Sequence, residues 1–209
     1  MNKKILLTIG RQYGSGGHEI GERLAKELNI KLWDKDILLK SSENSGLSKE
    51  LLEQFDEKPT NSFLYSLVMG LHAGQNQGGK YNMPLPEKIF LSQFETIKKI
   101  ANEGSGIFIG RCADYALKDY DNRISIFIYA PMESRIKRIE EHQNVSPKEA
   151  ADIIKRNDRQ RALYYNYYSL QQWGEKSNYH LCIDSSLCGI DGTVQVIYNI
   201  IENNPVIIK

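Results

Sequence analysis

Four glycines, Gly10, Gly14, Gly16 and Gly17, fall within eight residues, between an apolar run from Lys4 to Ile9 and a segment where Ile20, Leu24, Ala25 and Leu28 recur at helical spacing. A run that is apolar almost throughout reads as a strand buried on both faces of a parallel sheet, and it predicts a first, central strand. The order is therefore strand, glycine loop, helix. Backbone N–H groups in such a loop converge on an anion, and the helix dipole adds roughly half a positive charge at that end. Phosphate binding is the natural inference, with a glycine-rich turn that holds no ligand as its rival.

The alternation continues along the chain. Ile30 to Trp33, Ser105 to Ile109, Arg123 to Tyr129 and Tyr179 to Ile183 read as further strands, each closed by a turn signal or a polar residue. Between them, Lys35 to Leu39, Leu47 to Phe55, a periodic segment from Glu87 to the stop at Gly104, and Met132 to His142 read as helices. Ser146, Pro147 and Glu149 form a capping-box start for a helix expected to reach about Tyr168. Asp191 is expected to cap a closing helix with Val194, Ile197, Ile200 and Ile201 inward. The stretch from His72 to Pro86, low in apolar residues, reads as a mobile loop. Residues 41–103 then form a helical insertion and 132–170 a helical lid within a single domain spanning 1–209.

This pattern predicts an α/β fold: a five-stranded parallel sheet in a three-layer α/β/α arrangement, with ligands outside the carboxyl ends of the strands. With 27 Lys and Arg against 26 Asp and Glu, the formal charge of +1 excludes a globally basic nucleic-acid binder. No apolar run approaches the ~20 residues of a membrane span, and the start is too short an apolar stretch for a signal peptide, so a cytoplasmic protein without membrane or nucleic-acid partners is expected. Cys112, Cys182 and Cys188 lack CxxC spacing and read as reduced thiols. Oligomeric state is not legible.

The residues after each strand should share one cleft: Gly10 to His18, Asp34 and Asp36, Gly110 and Arg111, Pro131, and Asp184 to Ser186. The loop does not match G-x-x-x-x-G-K-S/T, because Gly17 stands where that pattern has lysine and His18-Glu19 follow. It fails G-x-G-x-x-G as well, at Glu19. Phosphate chemistry in this loop must then draw its cations from arginine, with Arg11 at the loop start, and Arg156 and Arg159 three apart on one helix, as candidates. Against this, Arg135, Arg138, Arg156 and Arg159 read equally as solvated helix faces beside Glu140, Asp152 and Asp158. Asp34 and Asp36, two positions apart, can aim at the cleft to hold Mg²⁺ through water or an acceptor group, or Asp34 can cap a helix. His18 opens the first helix beside the expected phosphates, either charged or as a neutral donor. His72, His142 and His180 read as structural or exposed. Tyr164, Tyr165, Tyr167 and Tyr168 are expected to pack a lid against its neighbours.

The string Ile9-Gly10-Arg11-Gln12-Tyr13-Gly14-Ser15-Gly16-Gly17-His18-Glu19-Ile20-Gly21 resembles the opening of the cytidylate-kinase-like family. Leu32-Trp33-Asp34-Lys35-Asp36-Ile37 and Ile109-Gly110-Arg111-Cys112-Ala113-Asp114 are similar to two further family segments. Lys155 to Arg161, Tyr164 to Tyr168, Trp173-Gly174 and Asn178 to Ser186 resemble its carboxy-terminal signature. The likeness covers most of the chain except about 41–100. It implies a P-loop nucleoside-monophosphate-kinase fold, ATP with Mg²⁺ as donor, and a nucleotide-like phosphate acceptor. It further implies a phosphate-binding loop of Arg11, Gly14, Ser15, Gly16, Gly17, His18 and Glu19. Arg111 and Asp34 would stand at the acceptor site with Asp36, and Arg156, Arg159 and Arg161 in the lid around the transferring group. The departure is the loop lysine, which authentic cytidylate kinases carry. Three readings follow: an ATP-dependent kinase acting on a nucleoside monophosphate, a non-catalytic nucleotide-binding protein that lost turnover with the lysine, and a nucleic-acid module using the Arg and Tyr helix.

Overall fold

The computed structural model describes residues 4–57 and 83–203. Five parallel strands, β1 (Leu6–Arg11), β2 (Lys31–Trp33), β3 (Gly106–Ile109), β4 (Arg123–Tyr129) and β5 (Leu181–Asp184), form one sheet in the order β2-β3-β1-β4-β5. The central strand is the apolar run that opens the chain. Its register sets Thr8 between Phe108 and Ser125. Because successive strand residues point to opposite faces, β1 feeds two cores at once. Leu7 and Ile9 join Ile107, Ile109, Ile126 and Ile128 under α1 (Gly17–Leu28) and α8 (Ser185–Glu202), through Ile20, Leu24, Val194, Ile197 and Ile201. Leu6 and Phe108 pack on the other side against Trp33 and against Ile97, Ile100 and Ala101 of α4 (Leu85–Glu103), with Ala113 and Ala116 of α5 (Ala113–Ala116). The result is the expected three-layer α/β/α P-loop fold.

Between β2 and α4 lie α2 (Asp36–Ser45) and α3 (Lys49–Gln54), which close on α4 through Leu38, Leu52 and Ile89. The loop expected from His72 to Pro86 lies largely outside the described residues; Pro86 falls in the first turn of α4, where its fixed φ is tolerated. After β4 come α6 (Met132–Gln143) and α7 (Pro147–Ser169), whose capping box is in place: Ser146 Oγ accepts from the Glu149 amide at 3.3 Å and Glu149 Oε2 from the Ser146 amide at 2.9 Å. The α7 tyrosines bind the helix to α4. Phe90 stacks on Tyr168 with centroids 4.0 Å apart, and the Tyr164 hydroxyl meets Gln93 Oε1 at 3.2 Å.

The last helix departs from expectation at two points. It starts at Ser185 with Asp184 as cap, Oδ1 accepting from the Ser186 amide at 2.9 Å, and bends at Gly189, whose φ is 66°. Asp191 lies beyond the bend, exposed and paired with Arg23. Ile200 is 39% exposed, because 197 and 201, four apart, define the buried stripe and 200 lies off its side.

Candidate active site

In the order β2-β3-β1-β4-β5 the connection after β1 runs toward β2 and the connection after β4 toward β5, so the two diverge and open a crevice at the carboxyl ends. The glycine loop fills the base of that crevice and is clamped from behind. The Gln12 amide donates to the Ile128 carbonyl at 2.9 Å, the Ser15 hydroxyl to the Gln12 carbonyl at 2.8 Å, and the Ser185 hydroxyl to the Ser15 carbonyl at 2.6 Å. The Tyr13 amide donates to Asp158 Oδ1 at 2.7 Å, and buried Arg135 holds Asp158 Oδ2 at 2.6 Å and the Ala130 carbonyl at 3.0 Å. The α1 mouth is different. Gly16 is its N-cap and supplies no capping side chain, so the first-turn amides keep their capacity for an anion.

Gly16 adopts φ 77°, and a Cβ there would overlap Ile190 Cδ1. Gly16→Ala is therefore expected to cost about 1–2 kcal/mol from the left-handed backbone alone, with the clash added, read as a fall in the thermal midpoint. An unchanged midpoint would show that the loop does not hold this conformation.

A cavity of about 600 Å³ opens over the loop. Its cationic lining is Arg11, Lys35, Arg111, Arg138 and Arg161, and its acidic lining is Glu19, Glu22, Asp34, Asp56 and Glu57. Arg111 is the hub. Its Nη1 donates to Asp34 Oδ1 at 2.6 Å, and its Nε and Nη2 form a fork on Asp56 at 2.8 and 2.7 Å. Burial alone would lower the Arg111 pKa, but the charges of Asp56, Asp34 and Glu57 outweigh it and raise it. Burial likewise pushes the Asp34 carboxyl up, yet the hydrogen bond from His18 and the charge of Arg111 hold it well below the usual carboxylate range. His18 Nε2 stands 3.1 Å from Asp34 Oδ2, and that hydrogen bond raises the histidine's pKa against the opposing effect of burial. Glu57 meets Arg11 at 2.9 and 3.1 Å, and Arg161 Nε lies 3.7 Å from the same carboxylate. Arg138 and Arg23 both reach Glu19 on the first turn of α1.

The cavity thus gathers Arg11, Gly14, Gly16, Gly17, His18, Glu19, Asp34, Arg111 and Arg161, with Ser15 buried behind the loop. It does not gather Arg156, Arg159 or Asp36. On α7 the positions facing the loop are Asp158 and Arg161, at i and i+3, which leaves Arg156 and Arg159 exposed on the far side. Asp36 is exposed and meets Lys31 at 3.3 Å. His180 is structural, its Nδ1 accepting from the Ser125 amide at 3.0 Å, and His142 stands exposed at the cavity rim. Sequence reasoning missed Asp56 and Glu57, although an acidic pair just after a short helix is visible in the chain. It left a solvated face open for Arg135 and Arg138, whereas Arg135 is 5% exposed and clasps the loop.

Residues 6–187 match the cytidylate kinase-like family. A cytidylate kinase from Thermococcus kodakarensis is 30% identical over 201 residues, covering 95% of this chain and 89% of that protein. The chain belongs to the cytidylate kinase-like family. Among solved structures, an uncharacterized protein from Eubacterium ventriosum superposes with a TM-score of 0.72 at 28% identity, over 96% of this chain and all of that one. A shikimate kinase from Bacteroides thetaiotaomicron, with a TM-score of 0.52 at 14% identity over 95% and 98% of the two chains, shares the fold. In this member of the family the cavity is assembled by the glycine loop, the ends of β2 and β3, the residues after α3, and helices α6 and α7.

Proposed function

We propose that the protein transfers a phosphoryl group from ATP, carried with Mg²⁺, to a nucleoside monophosphate. The observation that carries this reading is the meeting of the uncapped α1 mouth with Arg11, Arg111, Arg138 and Arg161 around one cavity. Phosphoryl transfer is chiefly positioning and charge stabilisation, so amides for one set of phosphates and guanidinium groups for the rest are the equipment it needs. The loop amides from Gly14 to Glu19 would hold the donor phosphates, with Arg138 alongside. Arg111, Asp34 and His18 would face the acceptor. Among the described residues no group of three or more His, Cys, Asp or Glu side chains is arranged to hold a metal; Mg²⁺ can be bound largely by phosphate oxygens and water.

Asp34 also bears on the acceptor. An alcohol acceptor must lose a proton, and the best base for that titrates near the working pH. Asp34 has one oxygen on Arg111 and the other on His18, so it serves as an anchor and not as a free base. A phosphate monoester is already ionised at neutral pH and needs no base, which favours a nucleoside monophosphate over a sugar or other alcohol. The test is ADP formation from Mg-ATP with CMP, dCMP, UMP, AMP, GMP and shikimate as separate acceptors. Turnover with a monophosphate and none with the alcohol is expected. Turnover with shikimate alone would overturn the choice of acceptor, and a melting shift with ATP but no ADP from any acceptor would make this a nucleotide-binding protein without turnover.

A further inference from the structure

We propose that Glu57 is a built-in substitute for a phosphoryl group: its carboxylate fills an anion subsite made by the Arg11 and Arg161 guanidinium groups and the Arg111 amide, and an incoming phosphate must expel it. The proposal rests on the reading of this cavity as a nucleotide site. Arg11 grips the carboxylate with its fork at 2.9 and 3.1 Å, the Arg111 amide donates to Oε1 at 2.8 Å, and Arg161 Nε lies 3.7 Å from Oε2. A guanidinium fork recognises carboxylate and phosphate oxygens through the same planar geometry.

The backbone around the subsite is shaped for this contact. Gly110, Arg111 and Cys112 are all left-handed, with φ of 66°, 51° and 53°. Two of them bear side chains that disfavour the conformation. The run points the Arg111 amide at the carboxylate, and a Cβ on Gly110 would overlap both Glu57 Oε1 and Arg11 Nη1. Glycine at 110 is thus required by an ion pair that lies directly against the chain.

The donors and the acid differ in how they are held. Arg11 ends β1, Arg161 lies within the long helix α7, and Arg111 follows β3, so the donors belong to the scaffold. Glu57 comes three residues after α3 ends, where the last backbone hydrogen bond among the described residues, from the Asp56 amide to the Glu53 carbonyl, is a stretched 3.4 Å. Of the partners, the acid is the one that can leave. It also has to. Burial works against its charge, yet Arg11, Arg161 and Arg111 pull the Glu57 pKa down to about 2, so at neutral pH it is an anion and repels any phosphate brought beside it. Histidines aside, five acidic side chains balance five Lys and Arg side chains around the cavity while Glu57 stays.

Calorimetric titration of inorganic pyrophosphate into the full chain separates a carboxylate that fills the subsite from one that builds it. If Glu57 competes for the subsite, Glu57→Gln removes the competition and pyrophosphate binds about tenfold tighter than to the parent, as for a site occupied nine-tenths of the time. Equal or weaker binding, or no binding to either protein, overturns the proposal. Hydrogen exchange on the unaltered chain gives a second reading should the variant fold poorly. Pyrophosphate is expected to speed exchange over residues 53–57 as Glu57 loses its anchor, and slower or unchanged exchange there contradicts the proposal. Neither measurement involves ADP, so a protein that never turns over ATP can still confirm or refute it.

Discussion

Arg111→Ala is expected to destabilise the protein by about 3–5 kcal/mol, because removing one partner of a buried ion pair strands the other charge in a dry site. The Arg111 side chain is 2% exposed and satisfies Asp34 at 2.6 Å and Asp56 at 2.7 Å, so its loss strands two carboxylates at once. Among the described residues neither pairs with a second guanidinium; His18 is the other partner of Asp34, and its side chain is half exposed. Denaturant unfolding should show a lower midpoint with an unchanged slope. Two companion variants isolate the cause. Arg111 adopts φ 51°, so Arg111→Gly should be less damaged than Arg111→Ala by about 1–2 kcal/mol. Adding Asp56→Ala to Arg111→Ala should recover part of the loss, since the stranded acid is then gone. Stability within about 0.5 kcal/mol of the parent for Arg111→Ala would mean that the carboxylates reach solvent and that the site is open in solution.

The same hub shows where sequence reading succeeds and where it stops. The strands from Leu6, Gly106 and Arg123 were legible because burial on both faces leaves continuous apolar runs, and the Ser146 to Glu149 cap because its partners lie three residues apart. Arg111 was legible as a cleft residue because it directly follows a strand. Its partners were not. Asp56 is 55 residues away from Arg111 in sequence, and Glu57 is 46 from Arg11. Nothing local to an Asp-Glu pair says which strand end it will face. Arg156, Arg159 and Arg161 illustrate a further limit: any of the three suits a lid, and the choice depends on the rotation of α7. That rotation is fixed by Asp158 binding the Tyr13 amide and by the Tyr165 hydroxyl donating to Asp114 Oδ2 at 2.7 Å, contacts that span 145 and 51 residues. The misplaced cap at Asp191 has a similar origin. Both Asp184 and Asp191 precede helical turns, and only the left-handed Gly189 between them shows that the helix has already begun.

On the kinase reading, the role that the missing loop lysine leaves open falls to Arg138, and Arg138→Ala is expected to lower ADP formation by about 10²- to 10³-fold, the loss of one preorganised charge. The reasoning is positional. Gly17, which stands at the lysine position, lines the cavity together with Arg138, and a Cβ on Gly16 would sit 3.6 Å from Arg138 Cζ. The guanidinium therefore lies over the loop from the α6 side, reaching from outside to where a lysine would reach from within. Its partner Glu19 is also paired to Arg23, so Arg138 can turn to a ligand without leaving that carboxylate unpaired. At 26% side-chain exposure Arg138 contributes little to the core, so the variant should melt close to the parent, which separates lost chemistry from lost fold. Arg138→Lys should recover part of the rate, since an ammonium restores the charge without the fork. Arg156→Ala and Arg159→Ala, exposed on the far side of α7, should keep the parent rate within about twofold, as surface substitutions away from a site do. A full rate in Arg138→Ala together with a collapse in either of those two would reverse the assignment and require α7 to rotate by nearly half a turn when the nucleotide binds.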